Sequence, residues 1–373
     1  MSAHISEEEG RAIRESFARL LTKYCTEADV RRLMATPEGF DRELWRRMAD
    51  MGVVGLLVDQ AYGGSGAGAV ELESLMEEAG AALLSGPLLS SGVLGACLLS
   101  ACTEEAPKRR FLPGLAAGST IATVALTGDS GTWTSDGVSV DAAWDGDAWR
   151  LAGCACFVTW ASAADVLLVA ARAPDGLGVF LVDSGQNLPD VTALQTHDPT
   201  LHLSRMVFDG VAAVRLAGVD EWTLERAMNL ARIALAGEQA GAARRVLDGT
   251  VDYIKTRVQF GRPVGGFQAI KHMAADLLLE VESATSVARQ AASAFDEAAA
   301  ESDELINLAA FACADAFVQT ASSAIQMHGG IGFTWDHWAH LYWRRARTDA
   351  QLLGDADFHR DRYLAAKEKQ DGQ

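Results

Sequence analysis

The sequence predicts an α+β protein: an N-terminal helical domain, a central β domain and a C-terminal four-helix bundle. Three observations carry this reading. Residues 1–118 show helix-period apolar patterning with capping signals, residues 119–217 break into short β-branched and aromatic runs, and residues 218–373 return to long helical stretches rich in Ala and Ser. A chain of 373 residues is long enough for two or three domains with their own cores.

The elements follow in order. The opening "MSAHISEEEGRAIRES" is polar and acid-rich, and reads as a helix capped by Ser6 and Glu9, not as a signal peptide. "TPEGFDRELWRRMADMG" sets Thr36 as N-cap, Pro37 at the first helical position and Gly52 as the stop. "AVELESLMEEAGAAL" and "EEAPKRRFLPGLAAG" are further helices. Between them, "GPLLSSGVLGACLLSAC" is interrupted by small residues, which argues against a membrane span. In the second zone, "TIATVALT", "CACFVTW", "ADVLLVAAR", "LGVFLVD" and "HLSRMVFDGVAAVRL" are strand-like, and Asp145-Gly146 is a hairpin signal. The third zone holds three long helical patterns, the last ended by Gly329-Gly330.

Charge and cysteine usage narrow the function. Lys and Arg number 32 against 50 Asp and Glu, a net charge of −18, which is the opposite of a nucleic-acid footprint. An anionic small ligand needs only a local cation, so it stays allowed. The six cysteines form no CxxC pair and fit the reduced thiols of a cytoplasmic protein.

Two stretches ask for a ligand. In "RVQFGRPVGGFQAIKHMAAD" (257–276) a helix breaks into glycines and a proline and restarts, yet Arg257, Gln259, Phe260 and Gln268 stand at the break. About sixty residues on comes "QMHGGIGF", from Gln326 to Phe333. With the zone order, this pair of motifs resembles the FAD-dependent acyl-CoA dehydrogenases over nearly the whole chain.

The resemblance implies a fold, a cofactor and roles. FAD carries a pyrophosphate, which Arg257 can meet with a charge-assisted fork and Gln259 with a neutral donor; Phe260 offers a plane for a ring. Gln268 opens a helix whose free N–H groups suit an anion. By resemblance, this loop reaches the FAD of a neighbouring subunit. Gln326, Gly329 and Gly330 lie along the ADP portion, where a missing side chain lets backbone come close. Thr127 in "VALTGDSG" contacts the flavin pyrimidine edge, Phe157 covers the ring, and Thr159 reaches its redox-active nitrogen side. The family's Glu-Pro-x-x-Gly-Ser after that first threonine is replaced here by "GDSGTW", in which Ser130 stands in for one contact. Ser130 and Arg232 are the substrate-side residues.

α,β-Dehydrogenation also needs a carboxylate over the α-carbon, and relatives place it in one of two positions. Counted along this chain, those positions are Ala231, ahead of Arg232, and Leu353, ahead of Gly354. Neither is acidic. Three readings follow. The chain is a base-less subunit of a mixed α2β2 tetramer, like that of actinobacterial heteromeric enzymes acting on steroid side-chain thioesters. Or it is a homotetramer with a displaced base, Asp355 or Glu238. Or it is a non-catalytic acyl-CoA-binding or assembly protein. The resemblance implies an acyl-CoA substrate and an electron-transfer flavoprotein as acceptor. The remaining patterns read as structural: His337-x-x-His340 as surface or interface histidines without a metal, "RRAR" (344–347) as a basic helix face, and "YGGSGAG" (62–68) as a loop near the acyl pocket.

Overall fold

The protein is described by a computed structural model covering residues 7–183 and 188–371. Ser6 of the expected capping box lies outside the described residues. Helices come first: α1 (Glu7–Tyr24), α2 (Glu27–Leu33), α3 (Arg42–Asp50), α4 (Ala69–Ala81), α5 (Ala96–Ala101) and α6 (Glu105–Ala116). Strands follow as β1 (Ala122–Ala125), β2 (Val140–Trp144), β3 (Trp149–Thr159), β4 (Val166–Ala173), β5 (Gly176–Asp183), β6 (Asp190–Ala193) and β7 (Leu203–Arg215). The last zone is α7 (Glu221–Thr256), a small hairpin of β8 (Val258–Gln259) and β9 (Arg262–Pro263), α8 (Gln268–Asp296), α9 (Ser302–His328), α10 (Ala339–Asp349) and α11 (Ala356–Asp371). The helical, β, helical order expected from the patterning is the order observed.

The chain forms two compact units that do not follow chain order. One takes Arg32–Gly68 and Ser85–Ala231; the other takes Gly10–Arg31, Ala69–Leu84 and the chain from Arg232 onward.

In the first unit the sheet runs β1-β4-β2-β3-β7-β5, and β5 pairs again with β4, so five strands close on themselves with β6 added at β7. Closure removes two open edges. Alternate residues fill the interior: Leu151, Val169, Phe180, Phe208 and Val211 are buried together there. The Asp145-Gly146 signal makes the β2–β3 turn, where the Asp145 carboxylate accepts from the Asp147 and Ala148 amides at 2.9 and 2.8 Å. Helices of this unit brace the strands: Trp45 Nε1 donates to the Gly118 carbonyl at 3.1 Å, and Phe40 stacks edge-on to Trp160 at 5.7 Å. One boundary differs from expectation. α3 starts at Arg42, capped by Asp41, which accepts from the Glu43 and Leu44 amides at 2.8 and 3.1 Å. Thr36 instead closes a turn onto the Gly39 amide, and Gly39 at φ +71° breaks any helix begun at Pro37. Gly52, at φ +79°, ends the helix as its residue type predicts.

In the second unit α9 packs against α8, α10 and α11, and α4 packs against α8. A Cβ on Gly80 would stand 1.8 Å from the Glu238 carbonyl, and one on Gly241 1.8 Å from the Glu77 carbonyl. Only glycine permits that backbone approach between α4 and α7. Beside it, Glu77 pairs with Arg14 at 2.5 Å and with Arg289 at 2.8 Å. The neighbouring Glu73, 1% exposed, is held protonated by burial and by the Glu77 charge, its pKa pushed up to about 9. α9 has the length and apolarity of a membrane span, but its apolar positions Leu305, Ala309, Cys313, Phe317 and Ala321 are core residues.

Candidate functional site

The residues marked by the sequence fall on both units. In the first, Thr127 is 1% exposed and bridges to Cys156 in β3, whose amide donates to the Thr127 carbonyl at 2.8 Å. Its hydroxyl donates inward to the Thr132 carbonyl at 2.7 Å, so its proton is spent inside the 127–132 loop. Ser130 is exposed and accepts from the Thr132 amide at 3.3 Å. The next carboxylate, Asp129, makes a fork with Arg205, 2.8 Å at both oxygens, which holds it down at about 2. Phe157 sits at the β3 bulge with φ +57°, a left-handed conformation that costs a non-glycine residue about 1 kcal/mol. A Cβ on Gly131 would lie 3.3 Å from its ring. Thr159 is half-buried, and its hydroxyl makes no hydrogen bond among the described residues. Trp160, next along at φ +56°, stacks on His202 at 5.1 Å. Neither left-handed residue carries a sequence signal, because turns of this kind normally announce themselves with glycine or asparagine.

Both positions that the resemblance implies for the base are apolar and closed. Ala231 is 0% exposed. In the second unit Leu353 is 4% exposed at φ +60°, followed by Gly354 at φ +118°, where a Cβ would press on Phe358 at 2.3 Å. Arg232, 2% exposed, extends its Nε to the Leu353 carbonyl at 3.5 Å. Behind this turn stands His359, which sequence reading passed over. Its Nδ1 meets Asn307 Oδ1 at 2.9 Å, and Asn307 itself donates to the Asp303 carbonyl at 2.7 Å. Burial first, then the charges of Arg232 and Arg362, keep His359 neutral with its pKa down at about 3.

The two displaced acids are engaged elsewhere. Asp355 caps α11, accepting from the Phe358 amide at 2.9 Å, and is exposed. Glu238 pairs with the buried Arg345 at 2.6 Å. The "RRAR" island is therefore not a uniform basic face: Arg345 is 3% exposed, and Arg344 lies over Trp335 at 4.3 Å. His337 and His340 do not converge either. His340 is buried with Nε2 at 2.7 Å from the Trp335 carbonyl, His337 Nδ1 accepts from the Ala339 amide, and no metal cluster exists among the described residues.

The break at 257–268 is different in kind. Val258 pairs with Pro263 and Gln259 with Arg262, so Phe260 and Gly261, at φ +52° and +78°, form a two-residue hairpin turn. Phe260 is 93% exposed. A bulky aromatic held left-handed in water is strained, and within its own chain its ring meets only the Phe267 ring, edge-on at 6.3 Å. Arg257 is exposed and makes no ion pair among the described residues, and Arg262 covers the Phe267 ring at 3.9 Å. Gln259 is exposed, its amide donating to the Val258 carbonyl at 2.9 Å, and Gln268 opens α8. Gln326 is exposed on the last turn of α9. Gly329 has φ +68° and ψ −151°, a region only glycine occupies freely, and a Cβ on Gly329 or Gly330 would meet nothing within 4 Å. Their bareness serves no contact within the chain. Beside them Ile331, Phe333 and Trp335 are exposed apolar side chains.

These features define a chain of the acyl-CoA dehydrogenase family. Its residues 222–367 match the model described as "Acyl-CoA dehydrogenase, C-terminal domain", and residues 7–119 match "Acyl-CoA dehydrogenase, N-terminal domain". The chain belongs to that family of FAD-using oxidoreductases.

Among its relatives, acyl-CoA dehydrogenase IpdE2 of Mycolicibacterium smegmatis is 32% identical over 348 residues, 93% of this chain and 95% of that one. Acyl-CoA dehydrogenase FadE27 of Mycobacterium tuberculosis is 33% identical over 343 residues, 89% of this chain and 90% of that one. The fold matches the ChsE4-ChsE5 complex of Mycobacterium tuberculosis at TM-score 0.89 and 29% identity, covering 99% of each chain. It matches a Tcur3481-Tcur3483 steroid acyl-CoA dehydrogenase variant at 0.89 and 29%, covering 98% and 99%.

The residues fit FAD on the adenosine side. An arginine without an ion pair, a bare glycine pair and an exposed aromatic supply a cation, backbone access and a stacking plane.

Proposed function

We propose that this chain is the base-less subunit of a hetero-oligomeric acyl-CoA dehydrogenase, an α2β2 tetramer with a related chain that supplies the glutamate. One observation carries the reading. Both base positions are filled by buried apolar residues, Ala231 and Leu353, while Asp355 and Glu238 are committed to a helix cap and a buried ion pair. A carboxylate already holding a helix terminus or a guanidinium is a poor acceptor for a thioester α-proton.

The division of labour runs through the cofactor. Arg257, Gln259, Phe260 and Gln268 with Gln326, Gly329 and Gly330 grip the adenosine diphosphate portion of FAD, through the loop that reaches a neighbouring subunit. Thr127, Phe157 and Thr159 are the ring-side residues of the first unit with Ser130 on its substrate side, and Arg232 is the substrate-side residue of the second. FAD, when bound, accepts the hydride of α,β-desaturation; this chain's residues orient it and exclude water. The spent proton of Thr127 and the Phe157 ring lying on Gly131 support a weakened ring site on this chain's own side. The likeness to the Tcur3481-Tcur3483 steroid acyl-CoA dehydrogenase supports a bulky acyl-CoA substrate. An electron-transfer flavoprotein is the expected acceptor, in the cytoplasm.

The test is expression of the chain alone and beside candidate relatives, followed by anaerobic bleaching with acyl-CoA. The proposal expects bleaching from the mixed assembly only, abolished by removing the partner's glutamate. Brisk bleaching by the chain alone, lost in Asp355→Asn, supports the displaced-base reading instead.

A further inference from the structure

A cavity in the second unit stands apart from every residue used above. It has a volume of about 350 Å³ and lies between α1, α2, the end of α4, Arg245 of α7 and the α10 region. Trp338 and Tyr342 give it two aromatic walls set perpendicular, centroids 5.8 Å apart at 86°, and Leu83 and Leu341 complete an apolar floor. Such an arrangement presents a flat ligand with one ring face and one ring edge.

The charges around it are unequal in one respect. Glu27 is matched by Arg31 at 2.7 Å, and Glu78 by Arg14 at 2.7 Å. Arg245 makes no ion pair among the described residues; its guanidinium lies over the Trp338 ring at 5.7 Å. Tyr342 gives its proton to the Ala81 carbonyl at 2.7 Å, so its oxygen faces Arg245 as an acceptor. An exposed guanidinium without a carboxylate, set at the mouth of an aromatic pocket, favours an anion locally.

We propose that this cavity binds a small aromatic monocarboxylate, its carboxylate on Arg245 and its ring against the corner that Trp338 and Tyr342 form. One guanidinium matches one carboxylate by a two-bond fork, whereas a phosphate dianion would leave one of its charges without a cation. The volume holds on the order of ten non-hydrogen atoms. The site is independent of the cofactor reading.

Calorimetric titration of the full chain with benzoate and phenylacetate, and with the neutral amides of both, tests it. The expected result is saturable binding of an acid, at least about tenfold weaker for its amide. That binding should be lost in Arg245→Gln and also in Ala18→Phe, which fills the cavity from α1 without touching the cation. Unchanged thermal unfolding of the second variant shows that the fold survives. Equal binding of acid and amide, binding that survives Ala18→Phe, or no saturable heat at acid concentrations on the order of 10 mM overturns the proposal.

Discussion

The turn at Leu353–Gly354 and the hairpin at Phe260–Gly261 both hold a bulky residue left-handed, yet they are built in opposite ways. Around Leu353 the neighbours are engaged from within: Arg232 meets its carbonyl, His359 stands behind it on Asn307, and Asp355 caps the next helix. At the hairpin little is: the Phe260 ring is 93% exposed with the Phe267 edge 6.3 Å away, Arg257 lacks an ion pair among the described residues, and a Cβ on Gly329 or Gly330 would meet nothing. Strain that is internally compensated marks a structural turn, whereas strain without internal reward marks a surface awaiting a partner. On the function proposed above, the open hairpin is the chain's contribution to a shared cofactor and the closed turn is where its own proton chemistry would have stood.

That contrast can be broken from either side. The largest effect belongs to the closed region. Glu238→Leu leaves the guanidinium of Arg345, 3% exposed, without its carboxylate, and costs about 3 kcal/mol or more of stability, read by chemical denaturation. A cost near zero would return Glu238 to the list of free acids. His359 sets the acid response of the same region. Its folded pKa of about 3 lies below the ordinary 6.5, so the unfolded chain binds the extra proton between those values. Stability from this group is full above pH 6.5 and declines toward pH 3, by up to about 1.4 kcal/mol per unit. His359→Gln should flatten that acid limb relative to the parent, and an unaltered limb would show that His359 is not held neutral.

The open region should answer differently. Arg257→Ala leaves unfolding of the chain unchanged and weakens flavin retention in the mixed assembly by roughly ten- to a hundredfold, the worth of a charge-assisted hydrogen bond. A lowered melting temperature with flavin retained would make Arg257 a structural residue. The smallest effect is that of Asp355→Asn: about 0.5 kcal/mol or less of stability, because asparagine also caps, and unaltered turnover of the assembly. A large loss of turnover would restore the displaced base.

Much of this was legible beforehand, for physical reasons. Strand and helix periods gave the zone order, and Arg257, Phe260 and the Gly329–Gly330 pair stood out because their residue types are wasteful in an ordinary connection. That Ala231 and Leu353, the positions expected for the base, carry no carboxylate was equally visible. Long-range chemistry was not. Asn307 and His359 are 52 residues apart and meet only in the fold, and Glu238 and Arg345 are 107 apart. The left-handed Phe157, Trp160 and Leu353 carry no glycine signal, and the start of α3 was misplaced because Thr36 and Pro37 imitate a cap that Gly39 cancels. The grouping of α4 with the C-terminal helices rests on Gly80 and Gly241, whose role is a close approach that local sequence does not encode.

The most direct test is the flavin content of the purified protein, with and without a co-expressed relative. The account predicts a colourless chain on its own and about half a flavin per chain in the mixed tetramer. A chain that purifies alone with a full complement of flavin and oxidises an acyl-CoA would contradict it.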